Sequence, residues 1–252
     1  MELTVLGASG SWPDEGTALS GYLIQADGFN LWMDAGSGTM ANLQQHIEVG
    51  DVDGMFLTHE HADHMVDVYP LFYARHYGGL GADGLPLYIP RGFGSRLLGL
   101  LSIESAAAFA DAFDVHEVDA DDDDGFEIGP FRVTTHEMAH LGLPAIGFRI
   151  ESNGSALAYT GDTGPTDEVS DLARDADVFL CEATWQDEDD LHGFHLSARQ
   201  AGEYAKAAGV GSLMLTHILP GRDREISGEQ AAEVFDGTIH LAVEGMRCEV
   251  AR

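Results

Sequence analysis

Short apolar runs recur along this chain, separated either by turn residues or by longer stretches whose apolar positions have helical spacing. Runs of this kind that are rich in Val, Ile, Leu, Phe and Tyr predict β-strands, and the longer periodic stretches predict α-helices. The predicted strands are Leu3–Leu6, Tyr22–Gln25, Leu31–Met33, Met55–Thr58, Leu87–Ile89, Phe131–Thr135, Ile146–Ile150, Ala156–Thr160, Val178–Cys181, Leu213–Thr216 and Ile239–Val243. The predicted helices are Asn42–His46, Asp67–His76, Gly94–Ala112, Ala198–Ala208 and Gly228–Phe235.

The order of these elements predicts an α/β fold in which two sheets have helices outside them. Strands in hairpin-like order come first, and helices and strands alternate afterwards. Ser197 is a favourable N-cap for the helix that follows it, and Gly209 is a favourable stop. No internal repeat and no linker rich in Pro, Ser or Gly interrupts the chain, so residues 1–252 are expected to form a single domain.

The charge of the chain is strongly unbalanced. Lys and Arg total 12 against 43 Asp plus Glu, which gives a formal net charge of -31, and Lys206 is the single lysine. Such an excess repels polyanions and the chain itself at low salt, whereas in molar salt the Debye length of about 3 Å screens most of this repulsion. We therefore expect a halophilic source, with an acidic mesophilic protein as the alternative. The run Asp119–Asp124 is expected to be a solvated loop.

Cysteine usage and the N-terminal residues predict a cytoplasmic protein. Cys181 and Cys248 lie far apart and form no C-x-x-C pair, so neither a disulfide framework nor a thiolate metal site is expected. The first residues have no basic segment followed by a long apolar core, which is what a signal peptide needs. No apolar run is long enough to span a bilayer, and no membrane association is expected.

Four potential metal ligands are concentrated directly after the predicted strand Met55–Thr58. They are His59, His61, Asp63 and His64. A strand end followed by a turn can direct the first two side chains to one metal ion, and the start of the next helix can present the other two to a second ion. Imidazole and carboxylate together suit zinc, manganese or iron better than calcium or magnesium. We expect two divalent ions, with zinc preferred and manganese or iron as alternatives.

This segment resembles the metallo-β-lactamase superfamily, whose H-x-H-x-D-H motif is matched at all four fixed positions. The turn Asp34-Ala35-Gly36-Ser37-Gly38 is similar to the family's D-x-G-x-G turn, in which an aspartate braces the metal loop. The resemblance extends over nearly the whole chain. It implies an αββα sandwich of two mixed β-sheets flanked by helices.

The resemblance also implies three further metal ligands at later strand ends. His140 stands before a segment similar to the family's His followed by a G-Y-R strand, and His136 is its competitor. Asp162 lies in Tyr159-Thr160-Gly161-Asp162-Thr163-Gly164, where one carboxylate can bridge two ions about 3.5–4 Å apart. His217 follows Leu213–Thr216. The implied ligand set is His59, His61, Asp63, His64, His140, Asp162 and His217.

The C-terminal third is similar to ribonuclease Z and the phosphodiesterases related to it. The segments that carry this similarity are Cys181-Glu182-Ala183-Thr184 and His195-Leu196-Ser197-Ala198. In such enzymes a glutamate at the Glu182 position orients a histidine at the His195 position, which protonates the leaving oxygen. Asp63 is expected to accept the proton of the nucleophile, so the implied catalytic residues are Asp63, His195 and Glu182.

The chain departs from ribonuclease Z where that family carries a long tRNA-binding arm. Gly147–Ile150 reaches Gly161–Thr163 through only Glu151–Ser155 and one short strand, which fits a hairpin turn and not an arm. No basic cluster replaces the arm, although phosphate contacts normally rely on Lys and Arg. Nucleic acid is therefore a disfavoured partner.

The resemblance implies a dinuclear hydrolase in which a metal-bridging hydroxide attacks the substrate. We expect a phosphodiesterase acting on a small or cyclic nucleotide-type phosphodiester. The alternatives are a ribonuclease Z-type endonuclease that processes tRNA 3′ ends, and a metallo-hydrolase of a thioester, lactone or sulfonate. A homodimer is implied by the resemblance alone. The predicted helix Gly94–Ala112 offers either a partner face or an ordinary core face.

Overall fold

The structure is a computed structural model that describes residues 1–81, 84–120, 122–189 and 192–251. Within these residues the strands form two mixed sheets of seven strands each. The strands of the first sheet are β1 (Glu2–Gly7), β2 (Gly21–Ala26), β3 (Phe29–Met33), β4 (Gly54–Phe56), β5 (Leu85–Pro90), β6 (Phe113–Val118) and β14 (Arg247–Glu249). The strands of the second sheet are β7 (Asp122–Ile128), β8 (Phe131–Glu137), β9 (Ile146–Ser152), β10 (Ser155–Tyr159), β11 (Val178–Glu182), β12 (Ser212–Thr216) and β13 (Thr238–Leu241).

Each sheet is antiparallel on one side and parallel on the other. The first sheet has the order β14-β1-β2-β3-β4-β5-β6, and pairing becomes parallel from β3 onward. The second sheet has the order β13-β12-β11-β10-β9-β8-β7, and its parallel part runs from β10 to β13. Parallel strands need crossover connections, and these contain most of the helices.

The helices cover the outer faces of the two sheets. Those of the first layer are α1 (Thr39–Leu43), α2 (Ala62–Met65), α3 (Val68–His76), α4 (Gly94–Leu97) and α5 (Ile103–Ala112), with a 3₁₀ turn at Val49–Asp51. Those of the second layer are α6 (Glu168–Ala173), α7 (Ala198–Ala208) and α8 (Arg224–Ala232). No helix in the described part of the chain is long and apolar enough to cross a membrane.

Three apolar clusters show that the layers stack as helix, sheet, sheet, helix. Successive strand residues point to opposite faces, so Tyr22 and Ile24 enter the core between the sheets while Leu23 faces the first helical layer. Phe148 of β9 closes the inter-sheet core from the other side, and its ring stacks on Phe56 at 4.7 Å. A third cluster joins the second sheet to α6, α7 and α8. The predicted αββα sandwich is therefore confirmed.

The hairpin between β9 and β10 confirms that no arm is inserted there. Ser152 pairs with Ser155, and the turn consists of Asn153 and Gly154, both with positive φ. This is the two-residue connection that matches the twist of antiparallel strands. Helix α7 also has its predicted bounds: Ser197 caps it together with Gln200, and Gly209 ends it in the left-handed conformation.

Several predicted elements were wrong in extent. The stretch Gly94–Ala112 is two helices, because Ser102 caps a new helix within it. Leu97 and Phe109 are buried in the core, whereas Ile103 is 87% exposed. The run Asp119–Asp124 does not remain a loop throughout, since β7 begins at Asp122, and residue 121 lies outside the described residues.

Candidate metal centre

Polar side chains converge at one edge of the sandwich because several strands end there. In the second sheet β8, β10, β11 and β12 run in the same direction, so their carboxyl ends meet at a single edge. These ends contribute His140, Asp162, Glu182 and His217. In the first layer, the loop after β4 and helix α2 contribute His59, His61, Asp63 and His64.

The first cluster consists of His59, His61, His140 and Asp162. His61 Nδ1 lies 3.0 Å from His59 Nε2 and 3.1 Å from His140 Nε2. Asp162 Oδ2 completes the group at 3.7 Å from His59 Nε2 and 3.9 Å from His140 Nε2. Three of these side chains are buried and His61 is partly exposed, so the cluster opens to solvent on the side of His61.

The second cluster consists of Asp63, His64, Asp162 and His217. Here Asp162 uses its other oxygen, Oδ1, which lies 3.1 Å from His64 Nε2 and 3.4 Å from His217 Nε2. Asp63 Oδ2 lies 3.3 Å from His217 Nε2 and 3.8 Å from His64 Nε2. The carboxylate of Asp162 therefore stands between the two clusters and offers one oxygen to each.

The donor separations fit divalent ions. Four ligands at about 2.0–2.1 Å from a tetrahedral zinc ion are about 3.3 Å apart, close to the spacing within both clusters. His64 Nε2 and Asp162 Oδ1 are buried, and although they lie 3.1 Å apart, neither has a well-aligned hydrogen-bond partner among the described residues. Buried polar atoms of this kind require a partner, and a cation between them would provide one. The clustered His and Asp residues are thus suited to binding divalent metal ions.

Two residues of the centre hold strained backbone conformations. Asp34 has φ 54° and His217 has φ 55°, the left-handed region that non-glycine residues rarely adopt. Each such residue costs about 1–3 kcal/mol and persists where the surrounding contacts determine it. At Asp34 those contacts are numerous: the carboxylate accepts hydrogen bonds from the Thr58 amide at 2.8 Å and from the Tyr159 hydroxyl at 2.7 Å.

Burial and neighbouring charge divide the histidines into two groups. Burial lowers the pKa of His59 well below its usual range, and it also lowers the pKa values of His61 and His140. Burial opposes the charge of His64 too, but the carboxylates of Asp162 and Asp34 outweigh it and raise the pKa of His64 well above its usual range. The three histidines of the first cluster are therefore neutral. Metal binding to the second cluster must displace a proton from His64.

His195 and Glu182 form a buried pair that adjoins both clusters, since the centroid of the His195 ring lies 5.0 Å from that of His140 and 5.4 Å from that of His217. His195 Nδ1 lies 2.9 Å from Glu182 Oε1 and 3.9 Å from Asp162 Oδ2. Burial disfavours the charged imidazole, but the Glu182 carboxylate prevails and raises the pKa of His195 to about 9. Glu182 is fully buried, and its Oε1 also accepts the Thr163 amide at 2.6 Å. His195 is therefore protonated at neutral pH, and its ring is held in one orientation by the hydrogen bond from Nδ1 to Glu182.

The structure brings all seven predicted ligand residues into the two clusters and places the predicted catalytic pair next to them. His136 is not part of either cluster: it lies within β8, and its Nδ1 is 3.4 Å from Glu168. Sequence reasoning missed Thr58, Thr184 and Tyr159, whose hydroxyls contact the buried carboxylates. Threonine and tyrosine are ordinary strand residues, so their types carried no signal.

Gly36 is required by a close backbone approach beside this centre. A Cβ atom added there would lie 2.2 Å from the Asp63 carbonyl oxygen and 2.6 Å from the Leu19 Cβ. We expect Gly36→Ala to lower the free energy of unfolding by about 1–3 kcal/mol, because overpacking displaces the chain that carries Asp63. Urea denaturation followed by circular dichroism measures this loss.

The matched control for Gly36→Ala is Gly228→Ala in helix α8. An added Cβ there meets Leu241 at an ordinary 3.4 Å. Because Ala is the better helix residue, this variant is expected to be as stable as the parent or more stable by about 0.5–1 kcal/mol. An unchanged denaturation midpoint for Gly36→Ala would show that the backbone approach is not tight.

The αββα fold and its paired His/Asp clusters define a metallo-hydrolase of the β-lactamase fold. Residues 15–218 match the family described as Beta-lactamase superfamily domain, and the chain belongs to that family. It is 38% identical to the uncharacterized protein Rv1339 of Mycobacterium tuberculosis, over 100% of this chain and 93% of that protein. It is 29% identical to the ribonuclease Z of Methanopyrus kandleri, over 98% of this chain and 97% of that enzyme.

A further relative is similar in both sequence and structure. The probable metallo-hydrolase YhfI of Bacillus subtilis is 29% identical over 97% of this chain and 98% of that protein. Its crystal structure superposes with a TM-score of 0.88 and 26% identity, covering 98% of each chain. A diphosphatase from the PhnP family has a TM-score of 0.77 at 21% identity, over 98% of this chain and 97% of that one, and shares the fold.

Proposed function

We propose that this protein is a dinuclear metal-dependent phosphodiesterase that cleaves a small or cyclic nucleotide-type phosphodiester. One observation carries the proposal: two donor clusters share the carboxylate of Asp162, and a protonated His195 lies at the same edge. Two adjacent cations and a proton donor are what in-line cleavage of a phosphodiester requires, since charge builds up on both the attacking and the leaving oxygen.

The seven residues of the two clusters would hold the ions. His59, His61 and His140 would hold one ion, Asp63, His64 and His217 would hold the other, and Asp162 belongs to both clusters. Zinc is the preferred ion for this donor set, and manganese and iron are alternatives. When bound, such ions supply a nucleophile at neutral pH and neutralise the charge of the phosphate.

The remaining catalytic work falls to side chains of this protein. His195 donates its proton to the departing oxygen. Glu182 accepts a hydrogen bond from Nδ1 of His195, and this contact directs Nε2 of His195 toward the substrate. Asp63 is the acceptor for the proton of the attacking water, and its Oδ2, which faces the second cluster, also accepts the Ser11 amide at 3.0 Å. That amide fixes the carboxylate of Asp63, so the acceptor is in place before substrate arrives.

Charge and topology favour a small substrate. A net charge of -31 with a single lysine leaves few cations for contacts along a polynucleotide. The two-residue turn between β9 and β10 leaves no arm that could grasp a structured RNA. A compact phosphodiester needs only the contacts near the two clusters.

A ribonuclease Z-type endonuclease is the second candidate. The 29% identity with the Methanopyrus kandleri ribonuclease Z over nearly the full length of both chains favours it. The two candidates differ in what the protein must bind, so cleavage of a tRNA precursor and cleavage of a cyclic nucleotide can be compared directly in the same buffer.

The experiment is hydrolysis of 3′,5′-cyclic AMP by protein loaded with zinc or manganese in high salt. The parent should turn the substrate over, His217→Ala should not, and His76→Ala, which changes an exposed histidine, should behave as the parent does. Cleavage of the tRNA precursor without cleavage of cyclic AMP would support the endonuclease instead. Inactivity toward both substrates with both ions bound would reject phosphodiester chemistry.

A further inference from the structure

Two buried carboxylates organise the histidines of the centre in the same way. Asp34 Oδ2 lies 2.7 Å from His64 Nδ1, which is a direct contact. The same carboxylate accepts the Thr58 hydroxyl, at 2.9 Å from Oδ2, and that hydroxyl oxygen lies 3.0 Å from His59 Nδ1. Asp34 therefore serves one histidine directly and a second through a threonine.

Glu182 repeats this arrangement on the other side of the centre. Its Oε1 contacts His195 Nδ1 directly at 2.9 Å. Its Oε2 accepts the Thr184 hydroxyl at 2.6 Å, and that hydroxyl oxygen lies 2.9 Å from His217 Nδ1. Both carboxylates and both threonines are at most 1% exposed, so water does not compete for these contacts.

The proton count of each threonine settles the direction of these bonds. A hydroxyl can donate one hydrogen bond, and an ionised carboxylate can only accept hydrogen bonds. Each threonine hydroxyl therefore donates its hydrogen bond to the carboxylate. The threonine oxygen must then accept a hydrogen bond from the Nδ1–H group of the histidine. A neutral imidazole protonated at Nδ1 has its lone pair on Nε2, and the Nε2 atoms of His59 and His217 are those that face the two clusters.

We propose that Thr58 and Thr184 are positioning residues that hold His59 and His217 in the metal-binding tautomer, one threonine for each cluster. This rests on the proposed dinuclear centre. Contacts to the second nitrogen of a ligand histidine typically change metal affinity by about 10–100-fold. Because each threonine hydroxyl contacts one of these ligand histidines, each acts on one ion: Thr58 on the ion of the first cluster, and Thr184 on that of the second.

The test is calorimetric titration of the metal-free protein with Zn²⁺. Thr58→Val and Thr184→Val remove the hydroxyl and keep the shape, and each should weaken one of the two binding events by about 10–100-fold. Thr58→Ser and Thr184→Ser keep the hydroxyl and should restore affinity. The matched control is Thr135→Val in β8, a buried strand threonine whose hydroxyl donates to the Asp119 carbonyl away from both clusters.

Double variants assign each threonine to its cluster. Thr184→Val combined with His217→Ala should bind no more weakly than His217→Ala alone, because the threonine acts only through that histidine. His61→Ala disables the first cluster. When Thr184→Val is combined with it, the losses of Zn²⁺ affinity caused by the two single variants should both appear. Thr58→Val should show the reverse dependence: it should still weaken Zn²⁺ binding when combined with His217→Ala, because it acts on the first cluster.

The outcomes separate this inference from the proposed function. A parent that binds fewer than two Zn²⁺ ions contradicts the dinuclear centre itself. A parent that binds two, with valine variants of unchanged affinity, overturns the positioning role alone. Serine variants that lose as much affinity as the valine variants also overturn it, because the hydroxyl is then not the cause. If a valine variant does not fold, Thr→Ala at the same position takes its place under the same criteria.

Discussion

Asp162→Ala is expected to lose at least one bound metal ion and to reduce turnover by on the order of 10³-fold or more. The side chain stands between the clusters, with Oδ2 toward the first and Oδ1 toward the second, so no other residue can replace both contacts. Removing a single group that stabilises transition-state charge costs about 10²–10³ in rate, and Asp162 would support both ions of the proposed centre. Metal content by mass spectrometry and phosphodiester hydrolysis measure the two effects.

The control for this variant is Asp236→Ala, because the side chain of Asp236 is 95% exposed and lies 4.0 Å from Lys206, at the end of α7 that is remote from His195. It should retain the metal content and rate of the parent, since exposed substitutions change stability by no more than about 0.5 kcal/mol. Asp162→Asn keeps the volume of the side chain and guards against a folding defect. Two ions bound by Asp162→Asn with parental affinity would refute the bridging position.

His195→Ala is expected to retain both metal ions and to lose about 10²–10⁴ in turnover of a cyclic nucleotide. Its side chain adjoins both clusters and is held by Glu182, but the ring belongs to neither set of four donors around Asp162. In the proposed mechanism His195 protonates an alkoxide, which is a poor leaving group without a proton. Steady-state kinetics and metal analysis on the same preparation test both halves of this expectation.

A substrate with a good leaving group provides the control. A p-nitrophenyl phosphodiester releases a stable phenolate that needs no proton, so His195→Ala should lose much less activity on it than on a cyclic nucleotide. An equal loss on both substrates would mean that His195 acts on binding or metal position and not on the leaving oxygen. A loss of one metal ion would lead to the same conclusion.

The fold was predictable from the sequence because the hydrophobic pattern and the metal motif indicate the same arrangement of strands and helices. Every predicted strand corresponds to an observed strand, and α7 has its predicted bounds because Ser197 and Gly209 are strong local signals. The polar strands β6, β7 and β14 were missed. β6, β7 and β14 lie at sheet edges, where polar side chains are normal and the apolar signal is weak.

The sequence predicted the ligand residues of the candidate site and the Glu182–His195 pair, but not the threonine and tyrosine contacts that hold them. His59, His61, Asp63 and His64 stand together in the sequence, whereas the contacts of Thr58 with Asp34 and of Thr184 with His217 depend on how distant strands meet. Thr184 and His217 are 33 residues apart. Such a contact is a property of the parallel pairing of β11 with β12, which places their ends side by side. No local pattern records that pairing.

Because the ligand residues come from both layers, metal binding is expected to affect the stability of the fold. Helix α2 belongs to the first layer, and β8, β10 and β12 belong to the second sheet, so ions held at this edge tie the two halves of the sandwich together. A ligand that binds only the native state stabilises it by about 4 kcal/mol when its free concentration is a thousand times its dissociation constant. The melting temperature should therefore rise with free metal concentration and fall when a chelator is added.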